Sequence, residues 1–163
     1  MSKPNKITPE LSLSVDYAVK DERLQRWRIR RWVMRALQTA HADGLIAFDR
    51  MRLGIKIVGL TEGRKLNAAY RQKDYATNVL TFEYGVMPDG TACGDIVLCL
   101  PVLIKEAREQ SKSVLDHAAH LTMHGTLHAL GYDHIKSREA KHMEALETDM
   151  LAELGITDPY VLP

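Results

Sequence analysis

The sequence predicts an α+β fold: a single domain over residues 1–163, with a short mixed β-sheet of about four strands packed against about five helices. Three observations predict it. A strand-like run followed by a run of helical periodicity opens the chain. Met87, Pro88, Asp89 and Gly90 lie between two further strand-like runs and read as a hairpin turn. The 163 residues, 45% hydrophobic and 26% charged, suffice for one substantial core and are too few for two typical domains.

Taken in order, Leu11 to Tyr17 alternates as a half-buried strand does, and a helix is expected from about Glu22 to Ala40. On its wheel Ile29, Trp32, Val33 and Ala36 cluster, while Arg28, Arg31 and Arg35 form a stripe on another face. That stripe is either a solvated surface or a ridge that faces phosphates. Met51 to Leu60 reads as a strand, and Thr61 can cap a helix that runs to about Tyr70. Val79 to Tyr84 and Ile96 to Leu100 are the two arms of the hairpin. Pro101 starts a helix through Glu109, and another runs from about Ser113 to Leu130. Gly131 stops it, since glycine tolerates the left-handed conformation that closes many helices. A last helix sets Met143, Leu146, Met150 and Leu154 along one side and ends at Gly155. There is no internal repeat or low-complexity tract.

The N-terminal MSKPNKITPE lacks an apolar stretch after its lysines, and nowhere do eighteen apolar residues run together, which points away from secretion and membranes. Cys93 and Cys99 are too few for a disulfide scaffold; six apart in a strand, they face one side and are expected to be buried thiols in a reducing cytoplasm. The net charge of +1 conceals an asymmetry: residues 20 to 35 hold seven Lys or Arg against two acids, and residues 138 to 153 hold two against five. Overall charge neither supports nor excludes a nucleic-acid partner.

The chemistry is concentrated in DHAAHLTMHGTLHALGYDH, which packs five of the seven histidines into the nineteen residues from Asp116 to His134. His124 and His128, four apart on a helix, project from one face a turn apart and can grip one ion. The stop at Gly131 lets the chain reverse, so that His134 becomes the third ligand. Three neutral ligands leave a position open, as in catalytic zinc sites, and leave the ion its full charge, which can bring a bound water to a pKa of about 7. Imidazole suits zinc, and nickel, copper or iron could occupy the site too. His117 and His120 share the helical stripe, so either could replace His134; His120 otherwise sits behind the ligands or in the core. Asp133 can orient a ligand imidazole or be a plain turn residue. His41 and His142 are read as ordinary hydrogen-bonded histidines.

HGTLHALGYDH, followed by EALETDMLAELGITDPY, resembles the YbeY family of bacterial endoribonucleases, whose signature is H-G-x-L-H-x-x-G-Y-D-H. The resemblance continues upstream in YRQKDYATNVLTF and GDIVLCL and covers roughly the last hundred residues; the first fifty are similar only in strand and helix order. One position departs: the family's leucine after the second histidine is Ala129, an exchange expected to affect packing and not ligation. The resemblance implies one zinc ion on His124, His128 and His134, and a cleft arginine at Arg71. It implies a metal-dependent endoribonuclease of single-stranded RNA, acting in ribosomal RNA maturation, including the 16S 3′ end, and in ribosome quality control. The implied partners are ribosomal RNA precursor, small-subunit ribosomal proteins and a ribosome-associated GTPase. Arg71 can give phosphoryl oxygens a bidentate guanidinium, or can be a helix-terminal arginine paired with Asp74 or with the helix dipole. Lys73, Thr77 and Asn78 can line the same cleft.

Two rivals stand beside this reading. H-x-x-x-H on a helix is the zincin arrangement of metallopeptidases, but the glutamate that serves there as general base is Gly125 here, so a base must come from elsewhere, His120 and Asp133 being the candidates. The other is a non-enzymatic adaptor, in which zinc holds the last helices together and the arginine ridge docks on RNA or on a ribosomal protein.

Overall fold

Alternating side chains in four runs give four strands, and one sheet joins them. The structure is a computed structural model that describes residues 9–132 and 137–156. The elements follow as β1 (Glu10–Tyr17), a 3-10 turn (Glu22–Leu24), α1 (Arg26–Asp43), β2 (Arg50–Val58), α2 (Leu60–Arg71), β3 (Val79–Val86), β4 (Thr91–Cys99), α3 (Leu100–Glu109), α4 (Val114–Ala129) and α5 (Ser137–Glu153). The sheet order is β1-β2-β4-β3, with β1–β2 and β2–β4 parallel and β3–β4 antiparallel. The expected α+β class, mixed four-stranded sheet and five helices are found among the described residues.

One face of the sheet carries the main core. Leu13, Met51, Leu53, Ile55, Ile57, Ile96 and Leu98 meet Ile29, Trp32, Val33, Ala36 and Leu37 of α1 and Ala118, Leu121 and Leu127 of α4. The predicted α1 stripe is thus the buried one, since period 3.6 and period 2 bring two apolar faces together. The opposite face holds a smaller cluster, Val58, Leu80, Val97 and Cys99, packed by Leu66 of α2. Beyond α2 this face opens into a groove lined by Asp16, Lys56, Tyr70, Tyr84 and Asp95, among others. No helix among the described residues is long and apolar enough to cross a membrane.

Several boundaries differ from expectation for local reasons. Asp21 accepts a hydrogen bond from the Arg23 amide (2.9 Å), which favours a short 3-10 turn, so α1 begins at Arg26 and not at Glu22. Gly59 is the N-cap of α2, and Thr61 lies inside its first turn without a capping role. β4 starts at Thr91, well before Ile96, because pairing with β2 and β3 on its two sides carries the polar residues along. Of the cysteines, Cys99 is buried and Cys93 only half-buried.

Candidate metal centre

α4 is the element that every part of the site refers to. Ser113 caps it, its Oγ accepting the Asp116 amide at 3.0 Å, and Gly131, at φ 108°, turns the chain away beyond its end. Gly125 is the contact with the sheet: a Cβ built there would lie 3.1 Å from Ile96 Cδ1. The other side of α4 carries the histidines as a staircase. Ring centroids are 6.3 Å apart for His117 and His120, 6.0 Å for His120 and His124, and 4.8 Å for His124 and His128.

Three of the steps meet two carboxylates. His117 is 3% exposed and its Nε2 lies 3.0 Å from Glu106 Oε1 on α3. Burial holds its imidazole below the usual range, a tendency that the bond to Glu106 opposes without reversing. His120 Nε2 lies 3.1 Å from Glu147 Oε2, and His124 Nδ1 bonds Glu147 Oε1. Glu147 comes from α5 and is 1% exposed. His120, His124 and Glu147 form a group able to hold a metal ion, with candidate ligand atoms all within 4.8 Å of one another. A second set of donors involves His124 and His128, whose ring centroids are 4.8 Å apart. An imidazole that donates through Nδ1 carries its lone pair on Nε2, so with Glu147 ionised His124 can ligate through Nε2 beside His128. His134 and Asp133 lie outside the described residues.

Sequence reasoning missed Glu147 and Glu106. Glu147 had a signal: Met143, Glu147, Met150 and Leu154 follow one helical stripe, so a carboxylate stands among core positions. Glu106 had none, because its partners lie on other elements.

The remaining predicted residues are dispersed. Arg71 is exposed at the last turn of α2 and makes no side-chain hydrogen bond or ion pair among the described residues, while Asp74 pairs with Arg64 through two bonds of 2.8 and 2.9 Å. Lys73 is exposed; Asn78 is half-buried, donating to Glu106 (2.9 Å) and accepting from the Val79 amide (2.6 Å). On α1, Arg31 is exposed, Arg28 lies over the Trp27 ring at 4.9 Å, and Arg35 pairs with Glu153 of α5. His142 is hydrogen-bonded to Asp43 at 3.0 Å, and Asp43 also accepts the Tyr132 hydroxyl at 2.6 Å. Burial alone would raise the Asp43 carboxyl, but the bonds from Tyr132 and His142 outweigh it and hold it below the usual carboxylate range.

The family model described as Endoribonuclease YbeY matches residues 14–155. A protein from Bordetella avium (strain 197N) named Endoribonuclease YbeY is 66% identical over 154 residues, covering 94% of this chain and 96% of that one. One of the same name from Burkholderia lata is 50% identical over 159 residues, covering 93% and 87%. The solution structure of TM1509 from Thermotoga maritima superposes with a TM-score of 0.54 at 18% identity, covering 91% of this chain and 99% of that one, which is a likeness of fold.

Proposed function

The chain belongs to the YbeY endoribonuclease family, and from that premise we propose that it is a zinc-dependent endoribonuclease that cleaves single-stranded RNA during ribosomal RNA maturation. His124, His128 and His134 would hold the metal, with nickel, copper or iron as alternatives to zinc. The observation that carries this reading is the pair His124 and His128, rings 4.8 Å apart on one side of α4, with Nδ1 of His124 turned to a buried carboxylate. Donors of this kind, neutral imidazoles backed by a carboxylate, suit zinc chemically. Bound there, the ion supplies Lewis acidity for phosphodiester cleavage.

The chain's own residues do the rest. Arg71, uncommitted to any carboxylate among the described residues, is available to offset charge that grows on the phosphoryl oxygens. His120 is the candidate to hold or pass a proton, because its Nε2 shares Glu147 with His124, and Asp133 is the alternative. Arg28, Arg31 and Arg35 on α1, with Lys73 and Asn78, are the candidate contacts to the RNA backbone or to small-subunit ribosomal proteins; a ribosome-associated GTPase is a further proposed partner, and the cytoplasm the proposed location. The metallopeptidase alternative loses ground at Gly125. That position faces Ile96 of the sheet, so a glutamate introduced there would enter the core and could not serve a cleft.

The test is cleavage of an end-labelled single-stranded RNA by the purified full chain, with His128→Ala and a chelator-treated sample beside it. Loss of cleavage in both controls, with the variant's fold checked by circular dichroism, is expected. Equal cleavage in all three would refute a metal nuclease. Zinc retained with no cleavage in any sample would favour the adaptor reading.

A further inference from the structure

Glu147 is a carboxylate where packing alone would set an apolar side chain. Its helical neighbours on the same stripe, Met143 and Met150, are each 1% exposed, and so is Glu147 itself. A buried carboxylate costs stability unless hydrogen bonds and charge compensate it. Its two oxygens meet two imidazoles of α4, His120 Nε2 through Oε2 at 3.1 Å and His124 Nδ1 through Oε1. The bond to His124 spans 23 residues of sequence and joins α5 to the helix that carries the histidines.

We propose that Glu147 is the positioning residue of the metal centre: it fixes His124 as the tautomer with its proton on Nδ1, directs the Nε2 lone pair to the metal, and anchors His120 behind it. The inference rests on the reading that His124, His128 and His134 are the ligands. Where a carboxylate oxygen accepts from an imidazole, the ring nitrogen that faces it carries the proton. For His124 this leaves Nε2 as the ligating atom. The negative charge also makes the imidazole a stronger donor to a cation, and the cation in turn offsets the cost of keeping that charge away from water. On this proposal Glu147 would support the ligands and would not be one of them.

The experiment uses the full chain loaded with zinc. Nitrogen-15 NMR of the histidine rings reads which nitrogen of His124 carries the proton, and competition with a chromophoric chelator reads zinc affinity for the wild type, Glu147→Gln, His120→Ala and His128→Ala. Expected are a proton on Nδ1 of His124 with zinc on Nε2, an affinity lowered roughly 10- to 100-fold in Glu147→Gln, and binding lost in His128→Ala. Unchanged affinity in folded Glu147→Gln, or a proton on Nε2 of His124 in the wild type, would overturn the proposal while leaving the three-histidine reading intact. Zinc lost in His120→Ala and Glu147→Gln but kept in His128→Ala would make His120, His124 and Glu147 the ligands and overturn both. Should Glu147→Gln fail to fold, the wild-type spectrum decides the matter alone.

Discussion

Replacing Gly94 by alanine tests how closely the histidine helix rides on the sheet. A Cβ at residue 94 would stand 2.8 Å from the Cβ of Ala129 and 3.1 Å from the carbonyl oxygen of Phe82. Carbon atoms prefer roughly 3.5–4.0 Å, so the α4 side falls short by about 1 Å. The Phe82 carbonyl, itself a close contact, limits relief by β4, so the last turn of α4 is expected to withdraw. Overpacking of this kind costs about 1–3 kcal/mol. In a chain of this length each kcal/mol lowers the melting temperature by about 2–4 °C, which gives a fall of roughly 2–12 °C in Gly94→Ala. His128 is the residue next to Ala129, so the same withdrawal moves its ring and zinc affinity falls as well. The assay is calorimetry of the metal-free chain together with a zinc competition titration, repeated in the double variant with Ala129→Gly. Removing the opposing methyl relieves the closer of the two contacts, and the two substitutions couple favourably by about 1 kcal/mol or more. A Gly94→Ala chain that melts with the wild type, or a double variant that is merely additive, would refute the argument.

Three further outcomes are expected. Burial depresses the pKa of His117, so between its folded value and the ordinary 6.5 the unfolded chain binds the extra proton and stability declines as pH falls below 6.5; the urea midpoint should drop between about pH 7.5 and about pH 5.5, and a folded His117→Gln chain that shows the same drop would exclude His117 as its source. Tyr132→Phe removes one of the two bonds that hold Asp43 and costs about 1–2 kcal/mol, read as a lower melting temperature; because Tyr132 stands two residues before His134, faster zinc release should accompany it, and an unaltered release rate would detach that triad from the site. Arg28→Glu combined with Arg31→Glu should weaken single-stranded RNA binding and flatten its dependence on salt, and an unchanged slope would show that the α1 ridge faces solvent only.

What the sequence disclosed follows from where each piece of information resides. The α1 stripe of Ile29, Trp32, Val33 and Ala36 was legible because a helix encodes its buried face in its own period, and His124 with His128 for the same reason. β4 was half hidden: Gly94 and Asp95 break its apolar alternation, and its first residues are strand only through their partners in β2 and β3. Cys93 and Cys99 do share a face, but α2 covers only Cys99, whose Sγ would lie 2.9 Å from a Cβ at Gly63. No reading of one strand could have told them apart. The carboxylates behind the histidines were illegible for a deeper reason. Glu106 lies 11 residues from His117 and Glu147 lies 27 from His120, and the packing of α3 and α5 on α4 decides that they meet.

α4 packs against α1, α3, α5, β3 and β4, and an ion captured on its histidines would be captured where these five elements meet. A ligand that binds only the folded chain stabilises it by about 2.7 kcal/mol when its free concentration is 100 times its dissociation constant. Loosening α4 to release such an ion would also loosen the packing of these elements on it. Metal supply would then govern the lifetime of the protein as well as its chemistry: starved copies would open more often, meet proteases sooner and be cleared as inactive material.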